Sequence, residues 1–137
     1  MIEALPGCKD FKEWPQRWAG VDADEPTGEQ ILQYFRSFLE HLLEHHLSPK
    51  TFRRHAGNLW LLGGEVIRGM SLYPSRRKTS VRNILNQAVN EDGGPLLHGG
   101  DEQEQRSFDA TCRMFHRFLE RGMENRRKGN AEENHAA

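Results

Sequence analysis

Apolar side chains recur at helical spacing in four stretches of this chain. Ile31, Phe35, Phe38, Leu39, Leu42 and His46 share one face when residues 28–46 are wound as a helix, while Gln33, Arg36, Ser37, Glu40 and Glu44 face away. Thr27-Gly28-Glu29-Gln30 resembles a capping box, which predicts the helix start. A second pattern follows, with Phe52, Ala56, Leu59, Gly63, Val66, Ile67 and Met70 as its buried stripe and His55 flanking it. Lys50, Arg54, Gly57, Asn58, Leu61 and Arg68 lie opposite, with Arg53 and Gly64 at one edge. Ser48 suits the N-cap, and Pro49 suits the first helical position because its missing N–H would be unpaired there anyway.

The third pattern is short: Val81, Ile84, Leu85, Ala88 and Val89, capped by Thr79 or Ser80 and ended by Asp92-Gly93-Gly94-Pro95. Leu96-Leu97 is expected to pack back on the core, and His98-Gly99-Gly100 to act as a joint. Asp101 caps the fourth helix, whose stripe is Phe108, Thr111, Cys112, Phe115, Phe118 and Leu119, and Gly122 is expected to end it. No segment alternates as a strand does. The pattern therefore predicts an all-α bundle of four helices, two long and two shorter.

Three regions follow: an irregular or short-helical N-terminal arm over residues 1–26, a helical domain over 27–122, and a polar tail over 123–137 with no apolar stripe, expected to be disordered or frayed. Phe11, Trp14 and Trp18 in the arm are too apolar to leave bare. They are expected to cover an edge of the core, or else to form a protein-contact patch.

The 137 residues carry 19 basic and 20 acidic side chains, so bulk charge points to no partner. Its distribution does. Residues 48–90 hold 8 basic and 1 acidic side chains, whereas residues 91–105 hold 5 acidic and none basic. Lys50, Arg53 and Arg54 sit in the first turn of a helix, where the macrodipole disfavours cations. Folding alone gives no reason for them, which suggests a function. Arg76, Arg77 and Lys78 follow in an exposed basic loop. Arg106, Arg113, Arg117 and Arg121, spaced seven, four and four apart, form a cationic ridge opposite the fourth helix's apolar stripe.

Such faces neutralise phosphate charge first and read base edges second. Arg54 suits guanine, Asn58 suits adenine, and Leu61 suits a thymine methyl. The acidic 91–105 segment is a candidate cover for the basic face. No metal site is expected: His41 and His45 lie four apart but lack further ligands, and Cys8 and Cys112 fit no metal or redox spacing. His46 reads as a core histidine, and Glu65 as a partner for Arg68 or Arg54. No nucleophile–base pairing or phosphate-binding loop is visible, so neither catalysis nor a cofactor is expected. No membrane span and no signal peptide are read, and a reducing cytoplasmic compartment is expected.

The run Ile31-Leu32-Gln33-Tyr34-Phe35 through Leu47-Ser48-Pro49-Lys50-Thr51-Phe52-Arg53-Arg54-His55 resembles the opening of the core-binding domain of tyrosine recombinases and phage integrases. Arg106-Ser107-Phe108 through Arg121-Gly122 is similar to its last helix, so the resemblance spans residues 27–122. It implies a SAM-like bundle of four or five helices whose second and fourth helices face the DNA major groove. Carried over by position, Lys50, Arg53, Arg54 and Asn58 become second-helix contacts, and Arg106, Arg113 and Arg117 fourth-helix contacts. The family's catalytic domain has no counterpart in this sequence, and Tyr34 and Tyr73 both lie in the bundle region, so no strand cleavage is implied. The expected function is non-catalytic binding of duplex DNA. The alternative is a protein-interaction or homodimerisation module anchored on Leu61, Trp14 and Trp18.

Overall fold

The computed structural model describes residues 10–136, with side chains through Gly122 except that of Arg77. Cys8 lies outside the described residues. Five α-helices follow in order: α1 (Trp14–Trp18), α2 (Glu25–Glu44), α3 (Pro49–Leu72), α4 (Val81–Ala88) and α5 (Glu102–Ala136). Short 3₁₀ turns at Phe11–Glu13, Asp22–Asp24 and Pro74–Lys78 join them. Among the described residues there is no strand, and the architecture is an all-α bundle.

The core is aromatic at its centre. Phe35 and Phe38 of α2 meet Phe115 of α5 edge-on, with ring centroids 5.4 and 5.3 Å apart. Phe35, Phe38, Phe108 and Phe115 are all fully buried. Each such ring contributes about 1.5–3 kcal/mol through the apolar surface it removes from water. Edge-to-face packing adds to that.

α3 begins as its sequence requires. Ser48 Oγ accepts the Thr51 backbone N–H at 3.2 Å, and Pro49 occupies the first turn. Ser80 caps α4 through the Asn83 N–H at 3.3 Å, and Asp101 caps α5 through the Glu104 N–H at 2.8 Å. The start of α2 differs from expectation. The helix begins at Glu25 with Pro26 in its first turn, so Thr27 lies inside it and the expected arm boundary at residue 26 falls within a helix.

The arm itself is ordered as a lid of aromatics. Phe11, Trp14 and Trp18 are buried, so none of them is a surface anchor for a partner. Trp18 stacks on Trp60 at 5.8 Å, and its Nε1 donates to the Trp60 carbonyl at 3.0 Å. This explains Gly63 more specifically than a close helix crossing does. A Cβ at Gly63 would stand 2.2 Å from the Trp18 ring, so the indole occupies the space a side chain would need.

Four further expectations are corrected. His46 is exposed rather than buried: α2 stops at Glu44, and His46 takes a left-handed φ of 54° just past the cap. Glu65 is bonded by His98 Nδ1 at 3.0 Å, not by Arg68 or Arg54. Leu97 is buried as expected, but Leu96 is 78 % exposed. Gly122 does not end the last helix, whose backbone continues to Ala136 through the region read as a disordered or frayed tail. The side chains of residues 123–137 lie outside the description.

Candidate nucleic-acid interface

α3 and α5 pack antiparallel, and three contacts fix their register. Glu65 is bonded to His98, which precedes α5; Asn58 Nδ2 donates to the Ser107 carbonyl at 3.1 Å; His55 Nδ1 lies 2.8 Å from Thr111 Oγ1. Beyond these, Leu47 shares a cleft with Met114, Arg117 and Arg121. Residue numbers thus fall along α3 as they rise along α5. The N-terminal end of α3, with its cations, therefore lies level with the second half of the α5 ridge.

Lys50, Arg53 and Arg54 are all exposed and make no ion pair among the described residues. They do not share one direction. Arg53 lines a cleft with Asp10, Trp14, Arg17 and Trp60, on the side covered by the arm. Arg54 lies one turn before Asn58, whose amide meets α5, and its charge reaches the adjacent His55. Burial first, and Arg54 second, push the His55 imidazole below its ordinary value.

Asn58 is the clearest correction. It is 8 % exposed, and its amide is used within the protein: it donates to Thr111 Oγ1 at 2.8 Å and reaches the Ser107 carbonyl and hydroxyl at 3.1 and 3.2 Å. It joins the two helices, and its amide N–H groups serve α5 rather than a base edge. A polar residue beside the apolar stripe reads as surface from spacing alone, because the Ser107 and Thr111 partners lie some fifty residues away.

On α5, Arg106 and Arg117 are exposed. Arg106 lies 4.0 Å from Glu102, with both side chains in solvent. Arg117 Nε donates to the Arg113 carbonyl at 3.4 Å. Arg113 is half-buried and reaches the Asp92 carbonyl at 3.4 Å, which turns it toward the 90–94 turn. Arg76, expected in a loop, lies in the 3₁₀ turn after α3, stacked over Tyr73 at 4.8 Å and close to Gly69. At a rise of about 1.5 Å per residue, that is roughly 30 Å along α3 from Lys50. Lys78 is exposed in the same turn; the Arg77 side chain lies outside the description.

Two of the acids near this face are engaged elsewhere, whereas Glu102 pairs with Arg106, and Glu91 and Glu120 line a cleft with Arg117. Glu65 is held by His98, and Asp109 Oδ1 accepts the Gly94 N–H at 3.1 Å and Gln105 Nε2 at 3.0 Å. The 91–105 segment runs along the other side of α5, with Gln105 bonding the Leu97 N–H at 2.8 Å and the Pro95 carbonyl at 3.1 Å. None of its acids pairs with Lys50 or Arg54. Leu61 is 40 % exposed.

Sequence spacing also undervalued two neighbours. His41 and His45, at the end of α2, lie beside Arg117 and Arg121, a proximity created by the bundle topology. Among the described residues no group of three or more metal-ligating side chains occurs, and no helix is long and apolar enough to cross a membrane. Neither family models, curated proteins nor solved structures give a match to this chain.

Proposed function

We propose that this chain is a cytoplasmic, non-catalytic module that binds duplex DNA through the outer face of α3 and α5, in the manner of a recombinase core-binding domain. One observation supports the reading: antiparallel packing brings the N-terminal end of α3, with exposed Lys50 and Arg54, level with the stretch of α5 that carries Arg117, while the carboxylates Glu65 and Asp109 are already bonded. Lys50, Arg54, Arg106 and Arg117 supply the phosphate contacts, and Leu61 is the apolar group placed to meet a thymine methyl. Arg53, Asn58 and the Arg76–Lys78 turn stand outside this face.

The test is a salt titration of duplex binding by fluorescence anisotropy. Four neutralised phosphates give a slope of log affinity against log salt of about −3.6. Absence of binding to every duplex tried at low salt refutes the proposal. The competing reading, a dimerisation module, retains Leu61 but neither tryptophan as an anchor. Light scattering on the wild type and a Leu61→Glu variant separates the two: a dimer dissociated by the substitution favours that reading.

A further inference from the structure

The last turns of α2, the turn at Leu47 and α5 enclose a cleft of about 340 Å³. Its floor includes Phe38, Met114 and Phe118; its rim is His41 and His45 from α2 facing Arg117 and Arg121 from α5. Among the described residues no carboxylate lines it. The two imidazoles are 4.5 Å apart, and the His41 ring lies 5.3 Å from the half-buried Phe118 ring. His45 Nδ1 donates to the His41 carbonyl at 2.8 Å, which leaves Nε2 for an outside partner.

Packing does not account for this arrangement. Two guanidinium groups and two imidazoles converge over an aromatic floor with no acid among the described residues that line it; Arg117 also borders Glu91 and Glu120 on its other side. The combination suits a ligand with a flat apolar body and an anionic group. Bases stack on aromatic rings and guanidinium planes, while arginines at successive turns bind phosphate. The volume sits near the lower end of small-ligand pockets, at about 300 Å³. That suits one base with its phosphate. Arg117 belongs both to this cleft and to the duplex-binding face proposed above, so the two surfaces are continuous.

We infer that the cleft receives a single unpaired nucleotide, its base against Phe118 and His41 and its phosphate on Arg117 and Arg121. The inference rests on the duplex-binding reading for the approach of the strand. It makes a duplex with a short single-stranded extension the preferred ligand. An acidic peptide carrying an aromatic side chain is the competing occupant.

The experiment compares a blunt duplex with the same duplex bearing a three-nucleotide extension, and titrates thymidine 5′-monophosphate while following the His41 and His45 imidazole resonances. The extension is expected to tighten binding at least about fivefold, the low end of one stacked base. His41→Ala with His45→Ala is expected to remove that gain while leaving blunt-duplex affinity within about twofold. Arg121→Gln, at an exposed position, is a second variant expected to lose the gain without unfolding. Equal binding of the two duplexes by the wild type overturns the cleft inference and leaves duplex binding standing. A gain that survives both variants also overturns it. Saturable nucleotide shifts at His41 and His45 without duplex binding sustain the cleft and refute the duplex reading. Absence of both refutes both, and shifts produced only by an acidic aromatic peptide reassign the cleft.

Discussion

The Asn58 amide donates to the Thr111 hydroxyl at 2.8 Å, and this bond ties α3 to α5 at the level where their registers match. The same hydroxyl lies 2.8 Å from His55 Nδ1. Thr111 has one proton to give. Given to His55, it requires a neutral imidazole and leaves oxygen lone pairs to accept from Asn58. The three side chains are buried and serve one another, so they behave as a unit.

Asn58→Ala removes the donor to Thr111 and Ser107 and takes one bond from the buried Thr111 hydroxyl. The expected loss is about 1–3 kcal/mol of unfolding free energy. Urea denaturation at pH 7.5 measures it. Thr111→Val is expected to cost a similar amount, and the double variant less than the sum, because both singles break the same unit. Additive losses would show that the bond is not what joins the helices.

Acid should weaken the fold through His55. Its imidazole is held below the ordinary value of 6.5 by burial and by Arg54. Above that value the residue is neutral in both the folded and unfolded chain, and its contribution is fully present. As pH falls below 6.5, the unfolded chain takes up a proton that the folded chain refuses, so stability declines until the folded-state value is reached. Urea midpoints between pH 7.5 and 5 are expected to fall more steeply in the wild type than in His55→Gln. Arg54→Gln, which removes one cause of the depressed value, is expected to give an intermediate slope.

Gly63→Ala tests the fit of the arm against α3. The added Cβ meets the Trp18 ring at 2.2 Å, and that ring is held by Trp60 and Phe35. Overpacking of this kind costs about 1–3 kcal/mol, against a gain of about 1 kcal/mol from replacing a helical glycine. Net destabilisation with altered tryptophan emission is expected. Gly57→Ala is the control: nothing lies within 4 Å of its added Cβ, so it should stabilise by up to about 1 kcal/mol.

The contrast between these glycines marks what spacing can reveal. The stripes of α3 and α5 were legible because burial follows the helical repeat. So were Ser48, Ser80 and Asp101, since a cap bonds the backbone three residues on. What depends on distant partners was not legible. Asn58 turns inward because of Thr111, Gly63 faces Trp18, and His41 and His45 face Arg117 across the bundle. The start of α2 was misread for a local reason: Thr27 matches a capping box, but Pro26 is already suited to a first turn beginning at Glu25.

Cys112 should be inert in the folded chain. It is buried beneath Gly94, and burial first, then Asp109, push its thiol up to about 12, with Arg113 acting the other way. At pH 8 the thiolate is then about one part in ten thousand, too little to alkylate at a useful rate. Peptide mapping after iodoacetamide treatment is expected to find Cys112 unmodified in buffer and modified in urea. Rapid modification in buffer would mean that the 90–94 turn does not seal it.

Charge reversal distinguishes a defined face from diffuse attraction. Arg54 and Arg117 belong to the outer surface of α3 and α5, whereas Arg53 faces the arm beside Asp10 and Arg76 lies over Tyr73 at the other end of α3. Each reversal changes net charge equally. If binding follows total charge, both double variants weaken it alike. If it follows the face, Arg54→Glu with Arg117→Glu should make the salt slope shallower by about two, one for each phosphate no longer neutralised. Arg53→Glu with Arg76→Glu should leave the slope nearly unchanged. Fluorescence anisotropy on one duplex, from about 50 to 200 mM salt, reads both pairs. Equal slopes for the two double variants would remove α3 and α5 as the binding face while leaving the bundle as described.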